Sequence, residues 1–256
     1  MRERLQRILA RIRRDGPWDS LKYFLERAFW RICGHFLICA AVRRFGHVTG
    51  GSAKIEQALD SSFAFKFLGL TVKPWQIREE IIGLLRLLEE SRPKTIIDIG
   101  TAWGGTLFLF TRVADPHASI ISVDLPSGLF RGGYADYRAV LYRSFAREAQ
   151  ELHLVRGDSH SPETLEQVKK LLDGRAVDFL MIDGDHSYEG VKKDFETYSP
   201  LVKSGGLIAF HDICSGPVEL VGGVPRFWSE IQGTRRSGTF VKDVNQGGGG
   251  IGIIYC

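Results

Sequence analysis

The sequence is poor in the features that mark several protein classes. Its 256 residues include four cysteines, Cys33, Cys39, Cys214 and Cys256, with no CxxC pair and no dense framework. That excludes a disulfide scaffold and leaves reduced thiols in a reducing compartment as the expectation. The first 15 residues are charged and lack an apolar segment followed by a small-residue cleavage site, so no secretory signal is read and a cytoplasmic location is expected. Long apolar runs are missing too. The most apolar stretch, 32–42, is too short to span a bilayer and contains His35. There is no internal repeat, and no low-complexity tract beyond the four glycines at 247–250.

What is present is ordinary in amount but uneven in placement. A hydrophobic content of 44% and a charged content of 25% suit a soluble globular chain. The length allows one α/β domain of about 180 residues and an accessory segment. Residues 1–50 hold 11 Lys/Arg and 4 Asp/Glu, a net +7, whereas the other 206 hold 23 and 26, a net −3. The basic character therefore belongs to an N-terminal arm, and no nucleic-acid partner is expected from it.

The arm reads as two helices. Leu5, Ile8, Leu9 and Ile12 share a face, Gly16-Pro17 interrupts, and a second helix runs over 21–44 with Phe24, Ala28, Phe29, Ile32, Phe36 and Ala40. One reading is a helical layer packed on the main domain, or on a second subunit of a homo-oligomer. The other is a basic amphipathic helix in peripheral contact with an anionic membrane, at the inner membrane surface. Residues 45–74 look like an irregular connector, which divides the chain into an arm with connector, 1–74, and a main domain, 75–256.

From 76 onward helices alternate with short apolar runs. A helix over 76–90 presents Ile77, Ile81, Leu84, Leu85 and Leu88 on one face. Strands are read at 95–99, 120–123, 152–155, 177–182, 207–210, 239–241 and 251–255, with helices at 106–113, 137–148, 162–172, 188–199 and 225–231. Apolar strands alternating with helices imply an α/β, Rossmann-like domain: a mostly parallel seven-stranded sheet covered on both faces. The last two strands are too close for a crossover helix and predict an antiparallel hairpin at that edge.

The segment TIIDIGTAWGGT, 95–106, is a strand, a glycine-rich turn and a helix start. Gly100, Gly104 and Gly105 allow the backbone close to a ligand, with Thr101 and Ala102 in the same turn, and free N–H groups follow. Asp124 ends the next strand, 24 residues after Gly100, where an acidic side chain meets ribose hydroxyls in doubly wound folds. The dinucleotide fingerprint requires a glycine where this chain has Ala102 followed by Trp103. A nucleoside ligand without a pyrophosphate fits better, favouring S-adenosylmethionine over NAD. Asp158 and Ser159 follow the third strand and would border the adenine, while Ser159 or Ser161 before Pro162 serves equally as a helix cap.

Two further loops carry the chemistry. DFLMIDGDHSYEG places Asp183, Asp185 and His186 beyond the fourth strand, and LIAFHDI places His211 and Asp212 beyond the fifth. Two carboxylates and an imidazole converging there can bind Mg²⁺ or Mn²⁺. Methyl transfer to an alcohol needs such help, because the hydroxyl is a poor nucleophile until a metal or a base acts on its proton. His186 is close enough to Asp183 for the base role. A lone acid or histidine of this kind would more often cap a helix; five on two adjacent loops point to function.

The run from IDIGTAWGGT through ISVDLP, VRGDSH and DFLMIDGDHSYEGVKKDFETYSPLVKSGGLIAFHDI resembles the metal-dependent class I O-methyltransferases. The likeness covers roughly 76–256 and is strongest to the branch of macrocin-type sugar O-methyltransferases and cephalosporin-hydroxylase-like proteins. The resemblance implies that Gly100, Ala102 and Gly104 line the methionine side of S-adenosylmethionine, Asp124 holds the ribose and Asp158 with Ser159 borders the adenine. It implies Asp183 and Asp212 as metal ligands, His186 as general base, and a small-molecule or glycan acceptor. One position departs: the residue before Asp212 is acidic in the resembling branches and is His211 here, an imidazole better suited to Mn²⁺, Fe²⁺ or Zn²⁺ than to Mg²⁺. Tyr134, Tyr137 and Trp228 either stack on a sugar ring or fill a core. The alternatives are an NAD-dependent oxidoreductase and a non-catalytic protein of the same fold docking on a membrane or partner.

Overall fold

The computed structural model describes residues 17–49, 54–126, 133–147 and 149–256. The helix read over 5–12 and part of the connector lie outside these residues. The elements are α1 (Pro17–Thr49), α2 (Ile55–Ala64), β1 (Lys66–Phe67), β2 (Leu70–Thr71), α3 (Arg78–Ser91), β3 (Thr95–Ile99) and α4 (Gly105–Val113). Then follow β4 (Ser119–Asp124), α5 (Asp136–Arg143), β5 (Glu151–Arg156), α6 (Pro162–Leu172), β6 (Val177–Ile182), α7 (Tyr188–Tyr198) and β7 (Val202–His211). The chain closes with α8 (Val218–Val221), α9 (Val224–Ile231), β8 (Ser237–Phe240) and β9 (Ile251–Tyr255).

Seven strands form one sheet in the order β5-β4-β3-β6-β7-β9-β8. The first five are parallel, and β9 runs antiparallel to both β7 and β8. This is the Rossmann-like methyltransferase fold, with the expected antiparallel edge. Every residue of β3 and β4 is buried, as the apolar runs require for strands covered on both faces. The chain leaves β3 towards β4 and β5 on one side and returns to β6 and β7 on the other. The switch point between β3 and β6 opens the crevice where ligands bind in such sheets.

The connector is more regular than its serines and glycines suggest. Ile55, Ala58, Leu59 and Ser62 recur at helical spacing and are buried, which makes 55–64 a helix, and β1 and β2 form a short hairpin after it. Helix α3 starts two residues later than read, because Ile77 is extended. Helix α5 ends at Arg143 rather than near 148, where the Ser144 and Phe145 N–H groups bond the last carbonyls. Ser161, with Pro162 after it, is the cap of α6: its hydroxyl accepts from the Thr164 N–H at 3.1 Å, worth about 1 kcal/mol.

Helix α1 is longer than expected and belongs to the core along one side. Trp30, Ile38, Ala41 and Phe45 are buried with Phe108 and Phe145. Trp30 also stacks on Tyr137 of α5 at 5.4 Å and donates from its indole N–H to the Leu68 carbonyl. Its other side is bare: Trp18, Leu25, Phe29, Ile32 and Phe36 are all exposed. Among the described residues no helix is long and apolar enough to cross a membrane.

Candidate active site

The strand order lines up every expected site residue along one edge. The turn 100–105 follows β3, Asp124 ends β4, Asp158 and Ser159 follow β5, Asp183 and His186 follow β6, and His211 and Asp212 close β7. The turn and the Asp183 loop leave neighbouring strands at the switch point. Their backbones touch: Gly100, at φ 102°, would place a side-chain Cβ 2.0 Å from the Asp183 carbonyl, so only glycine fits.

The turn is organised by Asp124. Its carboxylate accepts from the Ala102 N–H at 2.7 Å on one oxygen, and from Leu125 and Gly133, both at 2.7 Å, on the other. Burial nonetheless pushes its pKa up against these bonds. Ala102 holds a φ of 45°, a left-handed position that its bond to Asp124 fixes. Beneath it a polar chain runs from Thr101 through the Ser122 hydroxyl, which donates to Asp98. Asp98 is completely buried with one oxygen unpartnered. Burial, joined by the charges of Asp183 and Asp124, raises its pKa well above the carboxylate range. Asp158 is exposed and accepts from the His160 N–H at 2.9 Å, while the Ser159 carbonyl accepts from the Tyr198 hydroxyl.

On the other side of the crevice, acids and imidazoles alternate. His186 Nε2 lies 3.2 Å from Asp183 Oδ1, and His186 Nδ1 lies 3.3 Å from Asp212 Oδ2 and 2.9 Å from the Leu220 carbonyl. His211 Nδ1 is 3.1 Å from the same Asp183 oxygen, and its Nε2 has no partner. Burial opposes the imidazolium of His186, but its Asp183 bond and the nearby carboxylates outweigh that and push it up to about 9. His211 is raised in the same way, against its burial. Burial pushes Asp183 up as well, and the two imidazoles more than reverse it, holding the carboxyl well below its usual range.

Asp212 sits at φ 61°, left-handed, with its other oxygen accepting from the Gly249 N–H at 2.9 Å. Ligand atoms of Asp183, His186 and Asp212 all lie within 4.8 Å of one another, while His211 stands beside that group against Asp183. Two carboxylate oxygens and an imidazole nitrogen this close make a donor set that fits one divalent cation.

Residues 97–213 match the model of a methyltransferase domain family. The O-methyltransferase from Bacillus cereus, solved in complex with SAH, is similar in structure to 80% of this chain and 91% of its own, at a TM-score of 0.51 and 17% identity. That likeness is one of fold. The uncharacterized protein y4gI of Sinorhizobium fredii is 28% identical over 157 residues, 60% of this chain, and the chain spans 17% of that relative's length.

Several groups of this site escaped the sequence reading. Gln76 is buried and donates from its amide to Asp183 Oδ2 at 2.7 Å, while its carbonyl accepts from the Thr106 hydroxyl. Nothing in its local pattern marks it. Asp98 did carry a signal, as the one charged residue in the apolar run 95–99. The candidate stacking residues fall on the core side: Tyr134 and Trp228 are buried, and Tyr137 is packed on Trp30.

Proposed function

We propose that this domain transfers the methyl group of S-adenosylmethionine to a hydroxyl of a sugar or glycosylated metabolite, assisted by a divalent cation, Mn²⁺ or Mg²⁺. The observation that carries the reading is the Asp183–His186–Asp212 group, whose ligand atoms lie within 4.8 Å of one another, directly against the glycine turn. The turn supports the cofactor: Ala102, followed by Trp103, stands where a pyrophosphate would need a glycine. The Bacillus cereus neighbour was solved with SAH. The sugar comes from the resemblance to the macrocin-type branch.

In this reading the acceptor oxygen attacks the methyl carbon as the carbon–sulfur bond breaks, its electron pair passing to sulfur. His186 takes the hydroxyl proton. A cation held by Asp183, His211 and Asp212 would lower the hydroxyl pKa and offset the carboxylate charge that keeps His186 protonated, leaving His186 as the base. Asp183 and Asp212 aim the acceptor, and Asp124, Thr101, Gly104 and Gly105 frame the cofactor with Asp158 and Ser159 at its far end.

Incubating the protein with labelled S-adenosylmethionine and glycoside pools, with and without chelator, tests this by mass spectrometry. A labelled methyl ether formed only without chelator is expected. Label on no glycoside would sink the acceptor class, and an unchanged yield with chelator would remove the metal.

We infer further that the bare side of α1 rests on an anionic membrane surface. The exposed row Trp18, Leu25, Phe29, Ile32 and Phe36 supplies the apolar contact, and the net +7 of residues 1–50 supplies the charge complementarity.

A further inference from the structure

Two tryptophans adjoin the glycine turn and Gln76 in the chain without a part in the chemistry above. Trp75 is 53% exposed, and its ring lies 4.7 Å from that of the half-buried Trp103, with the planes tilted by 46°. Both are placed by groups of the site itself. The stretch before Trp75 presses on the turn so closely that a Cβ on Gly105 would come within 2.2 Å of the Pro74 nitrogen. The next residue, Gln76, donates to Asp183. Trp103 lies between Ala102, bonded to Asp124, and Gly104. Each indole is thus one residue away from a group that shapes the cofactor turn or the acid cluster.

We propose that Trp75, backed by Trp103, is the platform on which the pyranose ring of the acceptor stacks. The proposal rests on the methyl-transfer reading and deepens it by assigning the sugar its contact surface. Half of a large indole left in water beside a polar cluster is apolar area waiting for a ligand face. A planar aromatic acceptor gains most when held between two rings. Among the described residues Trp75 has Trp103 as its ring partner, on one side only and tilted, so one face is offered. A pyranose needs one face: its C–H groups lie on the indole while its hydroxyls point outward from the ring edge. Those hydroxyls then meet the side of the crevice that carries Asp183, His186 and Asp212.

The test is saturation-transfer NMR on the full chain with S-adenosylhomocysteine present and a panel of methyl glycopyranosides as probes. Ring C–H saturation is expected in the wild type for at least one glycoside. Trp75→Ala should reduce it about fivefold, and Trp75→Phe should keep most of it. Calorimetry should give S-adenosylhomocysteine affinities within about twofold for all three proteins, which also shows that the variants are folded. Equal saturation in Trp75→Ala overturns the platform, as does no saturation of any glycoside in the wild type. Catechol saturated in place of the glycosides overturns the sugar. Trp75-dependent glycoside binding without any methylated product would instead refute methyl transfer and leave the platform standing.

Discussion

The Gln76 amide donates to Asp183 Oδ2 at 2.7 Å, and its carbonyl accepts from the Thr106 hydroxyl at 2.6 Å. One buried glutamine therefore joins the acid cluster to the helix that follows the glycine turn. It leaves Asp183 Oδ1 free to face both histidines. A group that orients a ligating carboxylate in this way is worth a factor of about 10–100 in metal affinity or activity. Gln76→Ala is expected to lower turnover by that factor and to raise the metal concentration for half activity, with S-adenosylmethionine affinity kept. Unchanged metal dependence would make Gln76 a packing residue.

In the proposed reaction His186 is the base. His186→Ala should cost about 10²–10⁴ in turnover while the dissociation constant for S-adenosylmethionine, by calorimetry, stays within about twofold. Wild-type turnover in that variant removes His186 from the mechanism.

Asp212 contributes one of the mutually close ligand atoms and is held by the Gly249 N–H. Asp212→Ala is expected to abolish any response of activity to added Mn²⁺ or to chelator. A variant that still responds as the wild type does would place the cation elsewhere.

Asp98 gives a pH dependence whose sign is fixed by its surroundings. Its folded pKa is raised, through burial first and then the charges of Asp183 and Asp124. The folded state therefore binds a proton that the unfolded chain releases near pH 4, and stability falls as pH rises above that point towards the folded pKa. Asp98→Asn removes this loss. Thermal midpoints of variant and wild type, measured from pH 5 to 8, should diverge as pH rises, the variant being higher. Parallel curves would show that Asp98 does not titrate as described.

The membrane reading is best tested without deleting the arm, since Trp30, Ile38, Ala41 and Phe45 belong to the core. Ile32 and Phe36 are 74% and 85% exposed, so serine at both positions should leave the fold intact. Flotation with phosphatidylserine-containing vesicles is expected for the wild type, reduced about tenfold in Ile32→Ser/Phe36→Ser and lost in high salt. Absence of flotation by the wild type would end this reading.

Strand and helix alternation made the sheet legible, because buried parallel strands leave continuous apolar runs such as 95–99 and 177–182. The edge hairpin was legible from the lack of room for a crossover. The loop residues were legible because Asp183, His186, His211 and Asp212 directly follow those runs. Their partners were not. Gln76 reaches Asp183 across 107 residues and Gly249 reaches Asp212 across 37, and no local pattern encodes such pairings. Helix 55–64 was hidden by its flanking serines and glycines, although Ile55, Ala58 and Leu59 carried its period. The aromatic residues nearest the site in the strand pattern, Tyr134 and Trp228, turned into core, and the pair of exposed Trp75 and half-buried Trp103 formed instead.

Glu80, almost wholly buried on α3, accepts from the Gly250 N–H at 2.8 Å and from the Gln246 amide at 2.6 Å. The neighbouring Gly249 holds Asp212. During synthesis, the turn 100–105 and its Asp124 emerge long before residues 249 and 250. A chain that has not yet reached residue 249 can therefore build the turn 100–105, but its second acid has no Gly249 N–H to hold it and Glu80 has no Gly250 N–H to accept. In the proposed reaction the arrival of residues 249 and 250 is what readies the acid cluster, so a chain truncated before them is expected to take up the nucleoside without acting on an acceptor.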